Sequence, residues 1–117
     1  MTITEAMDRA DRLRPNAVHN DDKKRSLWKL ETQYAEMIGD EIPDWTDEEE
    51  DYELLIPAPY DQSYVYHLMA FIDHAQEETD LYMIDSAMAN QETKEAMAWY
   101  RRNVRQHTDT KFRGVFI

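Results

Sequence analysis

The 117-residue chain contains no cysteine. That absence removes disulfide scaffolds, cysteine-based zinc sites and thiol nucleophiles together. Its two glycines, Gly39 and Gly114, are too few to write a glycine-rich phosphate loop. Apolar runs never exceed a few residues, so no membrane span is expected. Met1-Thr-Ile-Thr-Glu5 lacks the basic start and apolar stretch of a secretion signal, so none is expected there. Basic residues are scarce: 13 Lys and Arg stand against 25 Asp and Glu, a formal net charge of -12. Sequence-independent nucleic-acid binding rests on cations that neutralise phosphates, so this sign speaks against it. What these absences leave is a soluble, acidic protein of the cytosol, long enough for one domain and a modest core.

The acids and bases are segregated. Residues 1–35 are balanced, residues 36–53 hold ten carboxylates and no base, and residues 54–100 add eight acids against Lys94 alone. The last stretch reverses sign with Arg101, Arg102, Arg105, Lys111 and Arg113 against Asp109. An acidic middle and a basic tail are suited to contacts between subunits. A tail folded onto its own acidic loop, or two solvated segments, are the alternatives.

Thr2-Ile-Thr-Glu5 has the spacing of a capping box, and Ile3, Ala6, Met7, Ala10 and Leu13 follow at helical steps. Pro15 pushes Arg14 out of helical geometry and ends this first helix. Asn20 is the expected cap of a second helix, with Asp21 and Asp22 in its first turn. Leu27, Leu30, Tyr34, Met37 and Ile38 form its expected buried face, and Gly39 is placed to end it in left-handed geometry. From Asp40 to Tyr60 no period fits, which predicts a long acidic loop closed by Leu54-Leu-Ile-Pro-Ala-Pro59. The prolines make 53–58 an extended arm or edge strand.

A third helix is predicted from around Pro59–Asp61 to about Gln76, with Val65, Leu68, Met69, Ile72 and Ala75 as its stripe. Tyr64, Tyr66 and Phe71 widen that stripe toward contact on two sides. A break near Gln76-Glu77-Glu78 precedes a fourth helix over roughly 78–104, whose apolar side is Leu81, Ile84, Met88, Ala96 and Trp99. Short connections favour antiparallel packing. The predicted fold is all-α: a small bundle of about four helices in one domain, 1–104, with loop and arm at 40–60 and an extended tail at 105–117. That tail ends Lys111-Phe-Arg-Gly-Val-Phe-Ile117. Ordering its backbone costs about 7–14 kcal/mol, and burying Phe112, Val115, Phe116 and Ile117 returns about 6–12 kcal/mol. The tail is therefore expected to order only against a preformed surface, such as a partner.

Catalytic patterns are hard to find. His19, His67, His74 and His107 make no ligand set, and no Glu stands three residues before a His, so neither metal nor cofactor is expected. Asp44-Trp-Thr-Asp-Glu-Glu lacks the sixth-position glycine of a calcium loop. Glu50-x-x-Glu53 with Glu77-x-x-Asp80 resembles the paired carboxylates of all-α nucleoside triphosphate pyrophosphohydrolases, but the first pair runs into Leu54-Leu-Ile-Pro-Ala-Pro, which cannot continue a helix. Ser26, Ser63 and Ser86 lack a convincing base or oxyanion glycine. The chain is expected not to be an enzyme.

Glu53-Leu-Leu-Ile-Pro-Ala-Pro-Tyr-Asp61, then Tyr64, Tyr66, Leu68 and Ile72-Asp73-x-Ala75, is similar to a recurrent signature. Ile3-x-Glu5-Ala6-x-Asp8-Arg9, Pro15-Asn16, Trp28-Lys-Leu-Glu31 and Ala98-Trp99-Tyr100-Arg101 fit the same pattern. Together they resemble the small head–tail connector, or adaptor, proteins of tailed phages and prophages of Gram-positive bacteria. The pattern departs where Gln76-Glu77-Glu78 replaces a glycine expected between the third and fourth helices. The resemblance implies a helical subunit that forms a ring beneath the portal, extends the DNA channel and docks the next tail-side component. The implied partners are the portal protein and sister copies, with DNA passing unbound and no membrane. The implied location is the virion, and the host cytoplasm during assembly.

On this reading Leu54, Leu55, Ile56, Pro57, Pro59, Tyr60, Arg101, Arg105, Phe112, Arg113, Phe116 and Ile117 are candidate partner contacts. Asp44, Asp47, Glu48, Glu49, Glu50 and Asp51 are candidates to face the channel, where acids would repel the duplex and keep it sliding. The alternative from another class is an acidic DNA mimic that inhibits a host nuclease or restriction enzyme. Against it, ten carboxylates crowd one loop instead of spreading like phosphates over a face.

Overall fold

The computed structural model describes residues 1–43 and 52–105. Within them the chain is all-α, and its four helices arise largely where local chemistry places them. Helix α1 (Ile3–Leu13) starts at Thr2, whose hydroxyl accepts the Glu5 amide at 3.2 Å. Ile3, Ala6, Met7 and Ala10 form its buried face, whereas Leu13, expected on the same face, is 56% exposed. It ends before Pro15, with Arg14 turned out of helical geometry (φ -133°, ψ 81°).

The turn into the next helix is held by polar side chains. Asn16 donates to Asp11 (2.9 Å) and to the Arg14 carbonyl, and accepts from the Val18 amide. Lys23, only 3% exposed, reaches Asp11 at 2.9 Å and Asn16 at 3.2 Å. Helix α2 (Asn20–Ile38) is capped by His19, whose Nδ1 accepts the Asp21 amide. The expected cap at Asn20 is therefore one residue late, because an imidazole nitrogen takes the place of the amide oxygen. Leu27, Leu30 and Tyr34 are buried as expected, whereas Met37 lies 59% exposed. Gly39 ends the helix at φ 77°.

No sheet forms among the described residues. The arm at 52–56 runs antiparallel to the start of the chain through a single bridge, Thr2 to Glu53. The Ile3 amide donates to the Tyr52 carbonyl and the Leu54 amide to the Met1 carbonyl. Leu54 and Ile56 then drop into the core, 3% and 1% exposed. The Ala58–Pro59 peptide is cis.

Helix α3 (Gln62–Ala75) is the centre of the bundle, packed most extensively on α4 (Thr79–Trp99) and also on α1 and α2. This explains its wide apolar stripe, although Ala75 at its end is exposed. Its C-terminus is a complete Schellman motif: Glu77 donates to the His74 carbonyl, and Glu78 to the Asp73 carbonyl. Glu77 takes the left-handed position at φ 60° that glycine normally fills. The contacts Tyr34–Ser63, Ser26–His67, Asp73–Arg14–Asp85 and Tyr34–Thr93 make α2, α3 and α4 successively antiparallel. A π-helical segment, Tyr100–Arg105, extends α4. The Tyr100 hydroxyl donates to the Ile38 carbonyl at the end of α2. No helix of the described residues is long and apolar enough to cross a membrane.

Candidate interaction surface

Buried polar side chains lock the helices and so decide which faces remain outside. The arm is held by Glu31 of α2, fully buried. Its carboxylate accepts the Tyr64 hydroxyl at 2.7 Å and the Leu55 amide at 2.8 Å, while the Tyr64 oxygen accepts the Ile56 amide at 3.1 Å. Burial raises the Glu31 pKa above its ordinary 4.5, against the opposing pull of the hydrogen bonds from Tyr64, Leu55 and Tyr52. Desolvation, reinforced by Glu31, likewise drives the Tyr64 phenol far up. Tyr34 joins three helices by donating to Ser63 of α3 (2.6 Å) and meeting Thr93 of α4 (3.1 Å).

The third lock is ionic. Arg14 binds Asp85 of α4 through two nitrogens, at 3.0 and 3.1 Å, and lies 3.3 Å from Asp73 of α3. Both carboxylates are buried. One cation between two buried acids leaves a surplus negative charge, so the Asp73 pKa is raised to about 7. Desolvation is the main cause, followed by the neighbouring Asp85 carboxyl. Sequence reading missed this triad and the Glu31–Tyr64 pair. The signal available was an acid, Glu31 or Asp85, at a helix position whose neighbours three and four away are apolar; Asp73 has such neighbours, Met69 and Ala70, on its N-terminal side alone.

Ser26 of α2 meets His67 of α3. His67 Nε2 is 2.9 Å from the Ser26 hydroxyl and 3.1 Å from the Ser26 carbonyl. A carbonyl oxygen only accepts, so the second contact is a hydrogen bond in the Nε2–H tautomer, in which Nε2 offers Ser26 no base. Burial holds the His67 pKa below 6.5, with the Ser26 carbonyl opposing and Lys29 contributing. His74 stands against the ring of Tyr82. Among the described residues no three His, Asp or Glu side chains converge as a metal would require. Glu53 sits in the extended bridge, and Glu77 and Asp80 are exposed at the α3–α4 turn, so this carboxylate pairing has no common helix face.

With the helices so fixed, α4 shows an unexpected orientation. Asp85, Ala96 and Met97 face inward, while Ile84 is 58% and Met88 37% exposed. The apolar side drawn from sequence is thus only partly the core side: Ala96 is buried, Leu81 and Trp99 are half-buried, and Ile84 and Met88 face out. Leu81, Ile84 and Met88 share one flank at helical spacing. It is an apolar stripe that the bundle does not use.

The candidate contacts read from sequence divide into three groups. Leu54 and Ile56 belong to the chain's own core, which corrects their assignment to a partner, because Glu31 and Tyr64 pull the arm inward. Leu55 is half-buried; Pro57 and Pro59 are exposed; Tyr60 is half-buried and stacked on Trp99 with ring centres 5.3 Å apart. Arg101 is exposed in the π-helical segment, which also contains Arg105. Phe112, Arg113, Phe116 and Ile117, and the acidic positions Asp44, Asp47, Glu48, Glu49, Glu50 and Asp51, lie outside the described residues. Comparison with protein-family models, curated proteins and solved structures gives no match to the chain.

Proposed function

We propose that this chain is a structural adaptor, a head–tail connector subunit of a tailed phage that assembles as a ring beneath the portal and extends the DNA channel. The observation that carries the reading is the α4 stripe. A helix locked by Arg14–Asp85 and Tyr34–Thr93 turns Ile84 and Met88 to solvent while it buries an aspartate. A side chain of that size stabilises by about 1.5–3 kcal/mol when covered, so copies or partners gain by covering the stripe. The signature over Glu53–Asp61 supports the same reading, since its apolar positions Leu54 and Ile56 anchor the arm that carries Pro57 to Tyr60 across the bundle surface.

In this role the protein works without catalysis. The portal and the next tail-side component bind the two ends of the ring. The decisive experiment is electron microscopy of the protein mixed with the portal encoded beside it. A ring of this chain on the portal is the expected image. Bare portal, together with salt-sensitive binding of the chain to a basic nuclease, overturns the proposal in favour of a DNA mimic.

A further inference from the structure

We propose that two flanks of the bundle bind each other from copy to copy: the α4 stripe of one subunit enters the α2–α3 groove of the next. This rests on the self-assembling reading above and deepens it by naming the two faces. The groove, about 540 Å³, runs along the outer side of α2 and α3, with Leu30 and Phe71 among its apolar lining and two cations, Arg25 and Lys29, against one acid, Asp22, on the α2 side. Both cations are exposed, and among the described residues neither has a carboxylate partner. The stripe carries the complementary pattern. Leu81, Ile84 and Met88 follow Glu77, Glu78 and Asp80, which are exposed and likewise have no cation among the described residues.

Position on α4 selects the occupant. Tyr82, Ser86, Ala89 and Asn90 line a cleft shared with Ser26, His67 and Phe71, so that side of α4 faces α2 and α3. Leu81, Ile84 and Met88 lie about 150° round the helix from it, at 100° per residue. Stripe and groove are therefore on opposite flanks of one subunit. Two stripes meeting across a twofold axis would bring acid against acid, which disfavours a self-matched dimer. Stripe into groove instead pairs Glu77 and Asp80 with Arg25 and Lys29. It also leaves a second stripe and a second groove free, the head-to-tail arrangement from which rings close.

Because the chain has no cysteine, single-cysteine variants report contacts without background. Ile84→Cys and Gln33→Cys chains, one carrying a size tag, are mixed in free solution at high protein concentration and oxidised. The expected result is a disulfide heterodimer several-fold more abundant than either homodimer. Arg25→Glu with Lys29→Glu in the Gln33→Cys chain should lower it about tenfold or more, and Glu77→Lys with Asp80→Lys in its partner should restore it. Melting temperatures of all variants are compared, so that loss of the cross-link is read only where the fold is intact. Predominant Ile84–Ile84 dimers, a statistical mixture, or indifference to charge reversal would each refute the contact. So would a cross-link absent from the full chain that forms only on deleting 106–117, which would make the chain's own tail the normal occupant. Portal-bound rings without this cross-link remove the stated contact and keep the adaptor reading; the cross-link without portal binding does the reverse.

Discussion

Asp73 and Asp85, on adjacent antiparallel helices, share the single guanidinium of Arg14, and they share it unequally. Asp85 takes the two aligned hydrogen bonds at 3.0 and 3.1 Å; Asp73 is left with an ion contact at 3.3 Å. Among the described residues no side chain gives either Asp73 oxygen a well-aligned hydrogen bond. The arrangement fixes the end of α1 to both α3 and α4, and its charge does not balance unless a proton is held.

Stability should therefore depend on pH in a defined direction. The folded Asp73 pKa lies near 7, above its ordinary 3.8. A raised acid contributes stability that is complete below about pH 4 and is lost as pH climbs through about 7. A tenfold change in proton affinity between the unfolded and folded chain corresponds to about 1.4 kcal/mol. Glu31, also raised by burial, acts in the same direction. Urea unfolding should show a lower midpoint at about pH 8 than at about pH 5, and Asp73→Asn should reduce that difference.

Removing the cation or its aligned partner should cost more. Asp85→Ala loses both aligned bonds, and Arg14→Met leaves two buried acids without a counter-ion. Each is expected to destabilise by about 3–5 kcal/mol, as for other broken buried pairs. For Arg14→Met the loss should shrink at about pH 5, where the acids hold a proton more readily. Equal losses at both pH values would separate the triad from titration.

Glu77→Gly should stabilise the protein. Glu77 holds a left-handed φ of 60° in the Schellman turn between α3 and α4. Relief of the side-chain clash in that conformation is expected to give about 1 kcal/mol. A thermal melt reads the gain directly, and a fall in melting temperature would mean that the Glu77 side chain matters more than its backbone.

The arm should loosen when its buried support is cut. Tyr64→Phe removes the acceptor of the Ile56 amide and the donor to Glu31. A loss of about 1–3 kcal/mol is expected, with faster hydrogen exchange at Leu55 and Ile56. Ile56→Ala, which empties a position 1% exposed, should cost about 2–5 kcal/mol. Slow exchange at Ile56 in Tyr64→Phe would show that the apolar anchors hold the arm alone.

Substitutions on the stripe should divide folding from assembly. Ile84→Ser and Met88→Ser alter exposed positions, so each melt should stay within about 0.5 kcal/mol of the parent. Association with sister copies or portal, read by sedimentation, should weaken in both. A strong drop in stability would place these residues in the core after all.

Features whose causes lie within a few residues are legible in the sequence. Thr2 and Glu5 start α1, Pro15 stops it, and Gly39 ends α2, because caps and φ restrictions act over a single turn. The α3–α4 break falls where no glycine marks it, and the structure puts the left-handed residue at Glu77, within the Gln76-Glu77-Glu78 segment. The second helix's cap sits at His19 instead of Asn20 for an equally local reason: a ring nitrogen accepts the amide first.

Sequence by itself determined the four helices, the breaks between them and the inward-facing stripes of α1 and α3 up to their exposed last members, Leu13 and Ala75, since hydrophobic spacing and local backbone chemistry suffice for these. Only the tertiary structure decided which flank of α4 is covered and where the arm goes. Those outcomes depend on Arg14 meeting Asp85, and Glu31 meeting Tyr64, far apart along the chain. Once such partners satisfy a buried charge, an aspartate can displace an isoleucine from the interior, an inversion that hydrophobic periodicity does not express.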